Sequence, residues 1–218
     1  MVDAIYLARV PEERRPIRGL RIDPSDLLLE IISIVVAIVL ATAVGQAVDA
    51  HRASVRTHEA LARICQEIDH DDSRMAANHG LHNRLRDAFS ATVRRAAGDQ
   101  LDAAAFDDAF SKNAPTGFHP FVATVTAWDL ARGSNVLDDV PYALRASLQA
   151  RYAEVGNLSA LNSALLERLE TTPTERRPNF FFVAEAIRFI LSDIVASEDR
   201  LLEDGAAARR ALQKAGAC

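Results

Sequence analysis

Five side chains lie close enough along the chain to do chemistry together: Glu67, His70, Asp72, His79 and His82. Glu67-Ile-Asp-His70 has the Glu-x-x-His form with which helical bundles hold a di-iron centre, both ligands being on one helical face. Such a centre needs two of these motifs and two further glutamates, and the chain supplies one motif. His79 and His82, three residues apart, could share a metal ion with Asp72. The acidic run is not a calcium loop. Counted from Asp69, position 6 is Arg74 and position 12 is Gly80, where glycine and glutamate are required. A plainer reading competes with the metal: a solvated junction between two helices, with Asn78-His79-Gly80 as the turn.

Elsewhere the chemistry thins out. There is no glycine-rich phosphate loop, nucleophile elbow, His-Glu-x-x-His or Cys-x-x-Cys. Asp71/Asp72, Asp107/Asp108 and Asp138/Asp139 are adjacent pairs, and adjacent residues on a helix face different ways. Cys65 lies beside Ile64 and Ile68 on an apolar stripe and reads as a small core residue. Cys65 and Cys218 are the only cysteines, too few for a disulfide framework and not spaced for zinc. The ending Ala-Gly-Ala-Cys218 has its cysteine in the wrong place for prenylation. No cofactor is assigned and no catalytic residue is named.

The elements that must position these residues read as helices throughout. Leu61, Ile64, Ile68, Met75, Leu85, Phe89 and Val93 recur at helical intervals, and no proline interrupts the chain between Pro24 and Pro115. Gly98-Asp99 ends this part. Phe106 and Phe110 mark a short helix within Leu101–Lys112. Pro120 suits the first position of another, carrying Phe121, Val122, Val125 and Trp128 and ending at Gly133. Asp138 or Asp139 caps the next, with a long stripe from Leu144 to Leu169. After the loop Thr171–Pro178, Asn179 caps a final helix striped by Val183, Ile187, Ile190, Ile194 and Leu201. Glycine and proline are sparse and strand-like alternation is missing. The expected class is all-α: a single N-terminal transmembrane helix continuing into a stalk and an antiparallel helical bundle.

The transmembrane reading rests on Leu27–Val48, whose one charge is Glu30. At roughly 1.5 Å per residue the stretch is about 33 Å long, enough for a hydrocarbon core of about 30 Å. Ala41-Thr42-Ala43 has the form of a signal-peptide cleavage site, but the apolar run continues beyond it, which favours a retained span. Ser33, Ala37, Ala41 and Gly45 recur every four residues. Such a face suits close pairing of two helices in lipid, as a homodimer or with another membrane protein; equally, small residues are common in spans, and Glu30 reaches the headgroups. Residues 1–26 form a tail broken by Pro11, Pro16 and Pro24. Arg14, Arg15, Arg18 and Arg21 before the span outnumber Arg52, Arg56 and Arg63 after it. By the positive-inside rule the tail is cytoplasmic and the C-terminal domain periplasmic, in a bacterial inner membrane. The domain boundaries are 1–26, 27–48, 49–97 for stalk and first bundle helices, and 98–218 for the rest.

The net charge of −5, with no basic patch interleaved with aromatics, argues against nucleic acid as a partner. The run LLLEIISIVVAIVLATAVGQAVDAHRASVRTHEALARICQEI, with Trp128-Asp-Leu-Ala131-Arg-Gly133 and Tyr152 later, resembles a family of uncharacterised bacterial single-span membrane proteins. Ala37 stands where many of those spans have glycine. The resemblance implies a short tail, an anchor and a C-terminal helical domain, and carries over no catalytic residue. The expected function is a structural, scaffolding or sensory interaction module of the envelope. The alternative is a membrane-tethered metal-binding or enzymatic domain at residues 67–82. A third reading is a ligand-sensing domain with a cavity in its bundle.

Overall fold

Helix α1 runs Pro24–Arg95, 72 residues without a break. It starts on a proline, whose missing N–H is no loss at a helix start, and ends on Arg94 and Arg95, which complement the negative helix end. The computed structural model describes residues 24–96, 98, 100–171 and 180–218. The arginines of the tail, the loop at 172–178 and the expected cap Asn179 lie outside the described residues. The turn expected at Asn78-His79-Gly80 does not form. Residues 78–80 are helical, and nothing there demands a break, because Gly80 has φ in the ordinary range and no proline follows.

The chain divides into two units, Met1–Asp49 and Ala50–Cys218. The described part of the first is helical, and its aliphatic side chains lie open, from 42% exposed at Val48 to 65% at Leu29. The hydroxyls of this stretch satisfy themselves: Ser33 Oγ donates to the Glu30 carbonyl and Thr42 Oγ1 to the Ile38 carbonyl, each at 2.8 Å. Among the described residues this is the one helix long and apolar enough to cross a membrane.

Among its described residues the second unit is helix and irregular segment, apart from a bridge residue at Gln100. After α1 come α2 (Ala103–Ser111), α3 (Thr126–Gly133), a 3-10 turn at Asn135–Leu137, α4 (Tyr142–Glu170) and α5 (Phe181–Lys214). Asp102 caps α2 by accepting from the Ala105 amide at 2.7 Å. The apolar side chains sort into two cores. One gathers Leu61, Ile64 and Ile68 of α1, Trp128 of α3, Leu144 and Leu148 of α4, and Leu212 of α5. The other gathers Met75, Leu85 and Phe89 of α1, Phe106 of α2, Leu158 and Leu165 of α4, and Ile187 and Ile194 of α5. The grouping fixes directions: α1 and α4 run the same way and α5 runs against both.

The strand of chain that must return between α1 and α4 is mostly not helical. Residues 115–125 are irregular, so α3 begins six positions after Pro120 and carries only Trp128 and Ala131 inward. Nor do Asp138 and Asp139 cap α4. Pro141 stands at that position with no side-chain cap, and Asp138 lies 3.8 Å from Arg145. At the far end α5 closes on a glycine-based C-cap. Gly216, with φ of 76°, donates its amide to the Gln213 carbonyl, and the Ala217 amide goes to the Leu212 carbonyl, both at 2.9 Å. That turn buries Ala217 and brings Cys218 onto α1, where it forms a disulfide with Cys65 across 153 residues of sequence. Cys65 is thus buried, as its apolar stripe implies, and it is also bonded: two cysteines are too few for a framework but enough for one bridge.

Candidate functional site

The polar face of α1 is a rail to which the returning segment is fixed, group by group. Its polar side chains take backbone groups of residues 119–136 in reverse order. Asn78 Nδ2 donates to the His119 carbonyl at 3.5 Å, and Arg74 Nη1 to the Val122 carbonyl at 3.0 Å. Asp71 Oδ2 accepts from the Thr124 amide at 2.9 Å. Glu67 accepts from the amides of Ala127 (2.8 Å) and Trp128 (3.4 Å), and Thr57 Oγ1 donates to the Val136 carbonyl at 3.1 Å. The start of α3 has no cap of its own, since Val125 offers none. Glu67 supplies it from another helix, a carboxylate on the first-turn amides where the helix end is positive. Tyr152 of α4 adds its hydroxyl to Glu67 at 2.6 Å while its ring stacks on Trp128, centroids 4.9 Å apart and 5° from parallel. Burial, reinforced by the bond to Glu67, raises the Tyr152 phenol well above its ordinary range.

Between the two cores lies a polar layer. Arg151 projects from the apolar stripe of α4 and is almost fully buried. It donates one guanidinium nitrogen to Asp72 and another to the Leu201 carbonyl at 2.6 Å. Arg209 reaches the other oxygen of Asp72 at 2.8 Å. Gly205 makes room for this layer: a Cβ there would collide with both the Asp72 carboxylate and the Arg151 guanidinium. Burial pushes the Asp72 carboxyl above its ordinary value, against the opposing pull of the two arginines. Asp71 is also raised by burial, with the Thr124 amide pulling the other way. Its Oδ1, like Oδ1 of Asn162, has no hydrogen-bond partner among the described residues.

A third set lies farther along α1. His82 and Glu198, both fully buried, meet at 2.6 Å through Nδ1 and Oε1, and His82 Nε2 faces the His119 carbonyl at 3.1 Å. Both ring nitrogens therefore face oxygen. Nε2 carries one proton to the carbonyl, and Nδ1 and the carboxylate hold a second between them. His79 Nδ1 sits on the other oxygen of Glu198 at 3.1 Å.

The five candidate residues thus do not converge. Glu67 caps α3, Asp72 pairs with Arg151 and Arg209, His79 and His82 hold Glu198, and His70 is exposed. Among the described residues no group of three or more His, Cys, Asp or Glu is arranged to hold a metal ion. The solvated junction fails too, because Glu67, Asp71, Asp72 and His82 are all buried. The sequence reading missed Arg151 and Glu198, although each left a signal. Arg151 stands on the α4 stripe between Leu148 and Val155, and Glu198 stands between Ile194 and Leu201. A charge at a core position needs a partner.

Among the recesses of the second unit are a half-open cleft of about 640 Å³ between α3 with its 3-10 turn and α4, and one of about 630 Å³ between the end of α1 and α2. The apolar side of the first is formed by Val122, Val155, Trp128 and Tyr152. Asp129 and Arg132 of α3 form one exposed charge pair in its lining, and Asp138 and Arg145 form another. No protein-family model, curated protein or solved structure matches the chain.

Proposed function

We propose that the protein is a single-pass membrane protein whose helical unit lies outside the cytoplasm and works by contact, as a structural, scaffolding or sensory module of a bacterial envelope. The observation that carries this reading is the pairing of an uncovered aliphatic helix with a disulfide. In water, so continuous a row of open Leu, Ile and Val side chains would drive aggregation, whereas in lipid it is the stable state. A disulfide persists in an oxidising compartment and is rare in the cytoplasm, so Cys65–Cys218 supports the same side for the second unit as the arginine count does. The layout also suits the single-span family that the sequence resembles. The alternative of a metal-binding or enzymatic site at 67–82 lacks comparable support, because Glu67, Asp72, His79 and His82 are bound up in separate structural tasks and His70 lies exposed apart from them.

The test is a pair of C-terminal fusions, one to alkaline phosphatase and one to a green fluorescent protein that matures only in the cytoplasm. The expected result is an active phosphatase and a dark fluorescent fusion, both in the membrane fraction. A bright fluorescent fusion with inactive phosphatase overturns the placement. Cross-linking from the exposed face of the second unit in intact cells then reports the contact partner.

A further inference from the structure

We infer that the cleft between α3 and α4 is a binding site for a small zwitterion, a free amino acid or a short peptide; this deepens the sensory form of the reading above and rests on it. Pockets that hold small ligands typically measure roughly 300–1,000 Å³, and the cleft falls within that range at about 640 Å³. Its lining sets the ligand chemistry. Two guanidinium groups, Arg132 and Arg145, and two carboxylates, Asp129 and Asp138, share the lining with Trp128, Tyr152 and aliphatic side chains and with the uncharged polar Asn135 and Gln149. A purely anionic ligand would meet the two carboxylates, and a purely cationic one the two arginines. A ligand with one charge of each sign finds a partner for both.

The four charges are also available. Arg132 lies 3.4 Å from Asp129, and Arg145 lies 3.8 Å from Asp138, all four groups being open to solvent. Exposed pairs this long contribute little. By contrast, the Arg200–Glu154 pair outside the cleft closes to 2.6 Å. A ligand carboxylate offering two oxygens to a guanidinium makes a better partner than either aspartate does now. The wall behind the ligand is fixed. Asn162 holds the Phe121 carbonyl at 3.0 Å and Asp71 the Thr124 amide, so the segment bearing Val122 is pinned on both sides and the cleft is formed before a ligand arrives.

The molecule carries its own reporter, because Trp128 is the only tryptophan and lines the cleft. The experiment titrates the full chain in detergent micelles with trialanine and with the free amino acids, following Trp128 emission and the melting temperature. Controls are N-acetyl-trialanine amide, which lacks both charges, and inorganic phosphate. The expected result is a saturable emission change and a rise in melting temperature with at least one zwitterion, and neither with the blocked peptide. Arg145→Ala and Asp138→Ala each weaken the response at least tenfold, while Arg86→Ala, far from the cleft, leaves it unchanged. Should either cleft variant fail to fold, the melting shift of the unaltered chain with charged and blocked peptide still decides. No saturable response to any zwitterion, equal binding of the blocked peptide, or a response to phosphate alone overturns the inference. Because binding is read on purified protein, its failure leaves the outcome of the fusion test standing.

Discussion

Two stretches of the same helix have opposite solvation. In Leu27–Val48 the apolar side chains are open and the few hydroxyls bond back to their own helix. In Leu61–Phe89 both apolar and polar side chains are buried, and the buried polar ones hold backbone or charge from elsewhere in the fold. The first pattern suits lipid, where a polar group must be satisfied within its own segment. The second suits a water-soluble bundle in which part of one layer is irregular chain. The amides and carbonyls of residues 119–136 have no helix to satisfy all of them, so α1 supplies side chains that do. The polar face that resembles a metal site is thus the structural answer to a missing helix.

The largest expected effect comes from breaking the polar layer. Arg151→Met leaves Asp72 buried with only Arg209 and should lower stability by about 3 kcal/mol, as removal of one partner from a buried pair typically does. Replacing Asp72 by Leu in the same chain should recover most of that loss. If the single variant melts like the parent, the layer is not buried as described. A smaller loss of about 2 kcal/mol is expected from Glu67→Ala, which strips the cap from α3 and leaves the Tyr152 hydroxyl without its acceptor. Because Trp128 stacks on Tyr152, near-ultraviolet dichroism should report that loss locally, and an unchanged spectrum contradicts the capping role.

The smallest effect has the opposite sign. Asp71 is raised by burial and keeps one unpartnered oxygen. A carboxyl with a raised folded pKa binds its proton more tightly in the fold than in the unfolded chain. Its contribution is therefore most favourable at low pH and is lost as pH climbs from the ordinary 3.8 through the raised value. Asp71→Asn should remove that slope from melting curves recorded against pH and leave stability at neutral pH unchanged or up to about 1 kcal/mol higher. Glu154 provides the internal contrast. Burial pushes its carboxyl up, but donors from Ser197, Arg200 and Asn157 outweigh burial and hold it below its ordinary value. Its stabilisation is present above 4.5 and is lost as pH falls through the lowered value. A stability that falls more steeply with rising pH in Asp71→Asn than in the parent counts against this assignment.

How much of this was legible follows from the range of each signal. The apolar run Leu27–Val48, the stripes of α4 and α5 and the all-α class are local patterns, and they read directly. The irregular segment 115–125 did not, because Phe121, Val122, Val125 and Trp128 mimic a helical stripe while the Thr124 amide is held by Asp71, more than fifty positions away, and Glu67 caps the helix only from Thr126 on. The unbroken helix through Gly80 was hidden for a related reason: the polar run there looks like a junction unless its buried partners Arg151 and Glu198 are known. Nothing in the sequence marks Gly205, and only the two side chains packed against it show why no larger residue fits. The disulfide was within reach. An expected periplasmic domain with two cysteines already satisfies the condition for pairing one with the other.

The placement of the second unit on the oxidising side is tested most directly by the thiol state of the native chain in cells. Cells are acid-quenched, and the denatured protein is treated with a maleimide-linked polymer, with and without prior reduction. The account predicts no added mass without reduction and two added polymers after it, because Cys65 and Cys218 are the only cysteines and are bonded to each other. Two polymers added without reduction would show both thiols free in the cell, and would contradict it.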